Sequence, residues 1–233
     1  MINHKTVQRY MRERGIAGIA PGPQTSTPAR AHLVYPSLLR HVTSAYPNHV
    51  WGIDITYMRL HAGWMYLVAV LDWYSRYVVS WQLAQTLALP FVLTAVAQAL
   101  AQATPTIWNS AQGSHFTSPQ YLALLGKEDI QISMDGKGRA LDNIFTARLW
   151  RTVTYEEVYR FAYASPKEAR HGVTRDVDFY NHQRLHQALA YRTPAEVYVA
   201  PHPTHARPAA DQRATDGPEK GEVSTSNTLI LLP

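Results

Sequence analysis

Three runs rich in alternating and β-branched residues, 50–58, 64–72 and 77–83, are separated only by His61-Ala-Gly63 and Trp73-Tyr-Ser-Arg76. Connections this short permit only antiparallel neighbours, because a parallel return needs a crossover of about a dozen residues or more. The chain is therefore expected to open its core with a three-stranded meander. Residues 89–103 are rich in Ala, Leu and Gln and lack Gly, as a crossover helix should. A short strand is expected near 105–109, then a helix near 117–126, a strand near 129–133, a glycine-bearing loop over 134–140 and a helix from about 141. Strands followed by alternating helix and strand make an α/β domain.

Composition supports such a core and narrows what surrounds it. The chain has 233 residues, 46% hydrophobic and 11% aromatic, enough to bury a sizeable interior. Zero cysteines exclude disulfides and thiolate metal sites. No apolar run approaches the roughly 20 residues of a membrane span and no signal-like stretch leads the chain, so a cytoplasmic protein without a membrane partner is expected. The net charge of +5 is uneven: residues 1–50 hold six Lys or Arg against Glu13 alone. A basic excess of this kind fits a nucleic-acid partner, because neutralising phosphates releases counterions; a solvated basic tail fits it equally.

Residues 3–14 read as a short cationic helix with Val7, Tyr10 and Met11 as its apolar stripe and Gly15 as its stop. A Pro-rich linker follows over 20–31. The expected organisation is a helical remnant at 1–19, a linker at 20–45, the core at 46–200 and a disordered tail at 201–233, where Pro, Ala, Ser, Thr and charge replace apolar residues.

Within the core, Asp54 lies in Val50-Trp-Gly-Ile-Asp-Ile-Thr-Tyr57, Ala111 in Asn109-Ser-Ala-Gln-Gly-Ser-His-Phe-Thr-Ser118, and Ala147 in Leu141-Asp-Asn-Ile-Phe-Thr-Ala-Arg-Leu-Trp150. Strand alternation places Gly52, Asp54, Thr56 and Met58 on one face. A carboxylate inside an apolar strand needs a cation or several donors, so Asp54 is either a metal ligand or a satisfied structural Asp. The text around these positions resembles bacterial insertion-sequence transposases with a retroviral-integrase-type (DDE) catalytic core. So does the closing run Tyr180-Asn-His-Gln-Arg-Leu-His186 through Thr193-Pro-Ala-Glu196, with Leu185 where the family has Pro. In that family Asp, Asp and Glu bind metal and the last two are separated by 35 residues; residues 112–146 number 35 here. Ala111 and Ala147 stand at the second and third ligand positions.

The resemblance implies a ribonuclease H-like fold, a five-stranded mixed sheet flanked by helices. It implies Mg²⁺ or Mn²⁺ as cofactor, two ions about 3.5–4 Å apart that stabilise attacking and leaving oxygens of phosphoryl transfer. Double-stranded DNA is the implied partner, with a homo-oligomer on DNA. The basic helix looks like the end of a helix-turn-helix module whose remainder is missing or made as an upstream polypeptide. With alanine at two of three positions, Asp54 is the one metal ligand left. No Asp or Glu occurs between Asp72 and Glu128 to replace position 111, and Asp142, five residues before Ala147, lies about 140° around a helix from it. Strand cleavage and transfer are expected to be severely impaired. A catalytically silent DNA-binding or regulatory remnant is the other reading; a cellular ribonuclease H is disfavoured by the transposase-like closing motifs.

Residues expected to touch DNA are Gln112 and His115 after the second ligand position, Lys137 and Arg139 in the glycine-bearing loop, and Asn143, Arg148 and Arg151 on the following helix. Trp150 is expected in the core rather than as a base-stacking platform. His182 and His186 have the spacing of a zinc pair but lack further ligands, so structural or DNA-facing roles are expected for them.

Overall fold

The structure, a computed structural model, describes residues 3–15, 33–61, 63–136, 143–161 and 163–201. The chain divides into two units, Met1–His32 and Leu33–Pro233. In the first, helix α1 (His4–Glu13) is capped by the Asn3 side chain, which accepts from the Lys5 amide at 3.0 Å. Its stripe residues Val7 and Tyr10 are exposed.

The second unit holds one sheet. Strands β1 (Val50–Leu60), β2 (Gly63–Asp72) and β3 (Val78–Ala84) form the meander, β1 antiparallel to β2 and β2 to β3. Helix α2 (Leu89–Leu100) carries the chain to β4 (Ile107–Ser110), which lies parallel to β1, and helix α3 (Pro119–Leu125) carries it to β5 (Gln131–Met134), parallel to β4. The order β3-β2-β1-β4-β5 is a five-stranded mixed sheet, and with helices on both faces the fold is ribonuclease H-like, α/β as expected.

Alternation along each strand divides the core in two. Trp51, Ile53, Val68, Val70 and Trp108 face α2 and α3, where Val92, Ala95, Val96, Ala99, Tyr121 and Leu125 cover them. Val50, Met58, Leu67, Leu71, Val78 and Ile107 face the other way, under α4 (Ile144–Thr152) and α6 (Pro166–His182). Each large apolar side chain so buried stabilises the fold by roughly 1.5–3 kcal/mol. After α4 the helix widens into a π-helical turn, Val153–Val158, then closes through α5 (Tyr159–Phe161). The extra residue in that turn has no counterpart in the sequence pattern.

Two devices hold this frame. Asp72, fully buried, accepts from the Ser75 amide and hydroxyl at 2.7 and 2.6 Å and from the Asn48 amide at 2.7 Å, which fixes the β2–β3 turn where Arg76 adopts φ +65°. Asn181, near the end of α6, clasps the first residue of β3: the Val78 amide donates to Oδ1 at 2.9 Å and Nδ2 donates to the Val78 carbonyl at 3.1 Å. The closing Thr193-Pro-Ala-Glu196 is a capping box opening α7 (Pro194–Val199), with Thr193 Oγ1 accepting from the Glu196 amide at 3.2 Å and Glu196 Oε2 from the Thr193 amide at 2.8 Å.

Candidate active site

Asp54 sits in the middle of β1, opposite Ala69 of β2, on the face that α4 covers. Gly52 makes room for the Trp73 indole: a Cβ there would lie 2.3 Å from Trp73 Nε1, and it would also press on α4, 3.1 Å from Thr146 Oγ1. Four residues after Thr146, Trp150 returns to β1, and its indole N–H donates to Asp54 Oδ2 at 2.9 Å. Burial pushes the Asp54 carboxyl above the usual carboxylate range, opposed by that indole and by the Ile55 amide. Trp150 is buried in the core, as expected, and is also the donor that offsets desolvation of Asp54.

Ile53 pairs with Ser110, so Asp54 and Ala111 are the residues one step beyond the last β1–β4 pair. Ala111 packs its methyl against the cluster under α2 and α3. Ala147 is exposed on α4, three residues before Trp150. Neither alanine side chain offers a lone pair.

The structure adds one carboxylate that sequence reasoning missed. Asp135 follows β5, its amide donates to the Ser110 carbonyl at 2.9 Å, and its Oδ1 accepts from Asn109 Nδ2 at 2.7 Å. It therefore stands beside the strand end that leads to Ala111. Its proximity follows from β5 lying next to β4, a pairing that no local pattern announces.

Of the residues expected on DNA, Arg148 and Arg151 are exposed on α4. Gln112 donates from Nε2 to the Asp135 carbonyl at 2.9 Å, and His115 Nε2 lies 3.0 Å from the Leu87 carbonyl. Asn143 is a correction: expected to line an open face, it is buried at the N-terminus of α4, and its Oδ1 has no hydrogen-bond partner among the described residues. Lys137, Arg139 and Asp142 lie outside the described residues. The His182 and His186 spacing is not that of a helical pair either, because α6 ends at His182; His182 approaches Asp178 at 3.9 Å, and His186 packs edge-on to Tyr180.

This donor set does not fit a three-carboxylate cage for two hard cations. Asp54 has one oxygen engaged by Trp150, Asp135 one by Asn109, and among the described residues no group of three or more His, Cys, Asp or Glu is placed to hold a metal ion.

Residues 44–140 match one family described as "Integrase core domain", and residues 128–194 match a second with the same description. The chain carries an integrase core domain. Curated relatives of this core include a transposase for insertion sequence element IS629 of Shigella sonnei, 27% identical over 84% of this chain and 67% of that protein. Another is a putative transposase for IS986/IS6110 of Mycobacterium tuberculosis, 29% identical over 88% of this chain and 78% of that protein. Among solved structures, a simian T-cell lymphotropic virus intasome in complex with PP2A regulatory subunit B56 gamma superposes with a TM-score of 0.62 at 15% identity, covering 75% of this chain and 62% of that one. The HTLV-2 integrase catalytic core domain in complex with magnesium gives 0.56 at 16% identity, covering 68% of this chain and all of that one. At such identities these neighbours establish the fold of the integrase core. Among the described residues, no helix is long and apolar enough to cross a membrane.

Proposed function

We propose that this chain is the core of an insertion-sequence transposase that binds double-stranded DNA but is severely impaired in strand cleavage and transfer. One observation carries the reading: at the position where the relatives' chemistry is expected, Asp54 is accompanied by Ala111 and Ala147, and its own carboxylate is hydrogen-bonded to Trp150. A fold of this type with a carboxylate at one of three ligand positions keeps its framework and loses its ligand cage. The cations Arg148 and Arg151 on the exposed side of α4 support retained DNA binding beside that site. We place the chain in the cytoplasm, acting as a homo-oligomer on DNA, with an upstream helix-turn-helix polypeptide as a further partner.

The second reading, a silent DNA-binding remnant that competes with an active copy, rests on the same alanines. Restoring the carboxylates separates the two. Ala111→Asp with Ala147→Glu should bind Mn²⁺ or Mg²⁺ by calorimetry and nick or join DNA ends, while the parent chain binds DNA without doing either. A double variant that stays inert while the parent still binds DNA would favour the remnant. Metal binding and strand transfer by the parent would overturn the proposed impairment and direct attention to Asp135.

A further inference from the structure

A cavity of about 450 Å³ opens between the segment around Leu39–Ser44, the β2–β3 turn, the start of α4 and the segment 188–197. Its size falls within the roughly 300–1,000 Å³ of small-molecule sites. Leu39, Val42, Ile144, Phe145, Leu189 and Val197 supply apolar wall, and Arg76 and Arg192 supply charge. No carboxylate is among the described lining residues. Arg76 lies over the Phe145 ring, with its Cζ 3.4 Å from the ring centroid, and donates from Nη1 to the Trp73 carbonyl. Arg192 is exposed at the rim and donates from Nε to the Leu189 carbonyl at 3.3 Å, and among the described residues its terminal nitrogens are left for a ligand.

The positive charge here is offset only in part. Asp72, whose field reaches Arg76, directs both oxygens to Asn48 and Ser75. Arg184, close by, is paired with Glu156, and Arg148 adds a further cation near Arg76. Burial lowers Arg76 to about 10, so it stays charged at neutral pH. A pocket with planar and aliphatic walls, two guanidinium groups and no acid among its described lining residues selects an anion attached to an apolar, flat body.

We propose that this cavity binds a nucleoside 5′-phosphate, the terminal unpaired nucleotide of a DNA strand, with its phosphate on Arg76 and Arg192 and its base against Phe145, Val42 and Leu189. The proposal rests on the DNA-binding reading above and adds a place for the strand end. Ile144 lies three residues before Ala147, about 4.5 Å along the helix axis, so the pocket begins beside the vacated ligand position. A free nucleotide offers the same chemistry, and the test distinguishes the two sources.

The test is calorimetric titration of the full chain with deoxyadenosine 5′-monophosphate, with inorganic phosphate, and with duplexes that are blunt or carry a 5′-phosphorylated overhang. The overhang should tighten binding over the blunt duplex. Arg192→Ala should remove about tenfold of overhang affinity, the loss expected for one charge-assisted pair, and leave blunt-duplex affinity within twofold. Ala188→Trp, which fills the cavity from an exposed position, should act in the same way, and thermal melts verify that both variants fold. Nucleotide binding without any overhang preference would assign the pocket to a free nucleotide and overturn the strand-end assignment. Equal affinity for phosphate and nucleotide, or no nucleotide binding at all, would overturn the pocket itself. Blunt-duplex binding that survives either result leaves the DNA-binding reading standing, whereas loss of duplex binding by the parent would sink that reading independently.

Discussion

Asp54 is a carboxyl buried in an apolar strand with the Trp150 indole as its side-chain donor. Its carboxyl is raised by burial, so the folded chain holds that proton more tightly than the unfolded chain does. The resulting stability is fully present below the unfolded value of about 4 and is lost as pH rises through the raised folded value. Asp54→Asn keeps an oxygen for the Trp150 indole and removes the charge, so it should raise the melting temperature at pH 7 and make no difference at pH 3. Equal melting temperatures at pH 7 would show that the carboxylate is better solvated than its burial suggests. Trp150→Phe should do the reverse, leaving the carboxylate without its donor at a cost of about 1–3 kcal/mol, measured by urea denaturation at pH 7. The position of Asp54 inside an apolar strand was legible in the sequence. The indole that satisfies it comes from a residue 96 positions later and was not.

Among the elements, the seam between the π-helical turn and α6 concentrates the buried charge. Glu157 is buried, accepts from the Tyr163 hydroxyl and from Arg175 Nη2 at 3.1 Å, and lies close to Asp176. Burial, then Glu157 and Glu156, push Asp176 up to about 6, against Arg184 and Arg175. Its contribution to stability is therefore complete below about pH 4 and lost as pH rises through about 6. Asp176→Asn should flatten that part of the profile, with a gain in melting temperature at pH 8 that disappears at pH 4. Gly172 is where α6 meets this cluster: a Cβ would fall 1.8 Å from Tyr163 Oη and 2.7 Å from Glu157 Oε1. Gly172→Ala should cost about 1–3 kcal/mol by overpacking, read from the urea midpoint. The helix expected from about 141 was legible in the sequence and is α4. The π-helical turn was not, because one inserted residue leaves no periodic trace and is kept only by what packs against it.

At the scale of the whole molecule, DNA affinity tests whether the charge on α4 is more than a solvated face. Arg151→Ala should weaken binding similarly across sequences and reduce the salt slope by about 1, measured by anisotropy over a salt series; an unchanged slope would remove Arg151 from the interface. The sequence by itself determined the meander, the crossover helices and the position of both alanines, because hydrophobic period, short turns and a fixed spacing are local properties that a single chain displays. The tertiary structure alone decided that Trp150 donates to Asp54, that Asp135 stands beside the strand end, that Asn143 is enclosed and that Arg76 meets Arg192 across a cavity. Those relations join residues far apart in the chain, and they exist only once strand order and helix approach have been settled by burial of the two apolar faces.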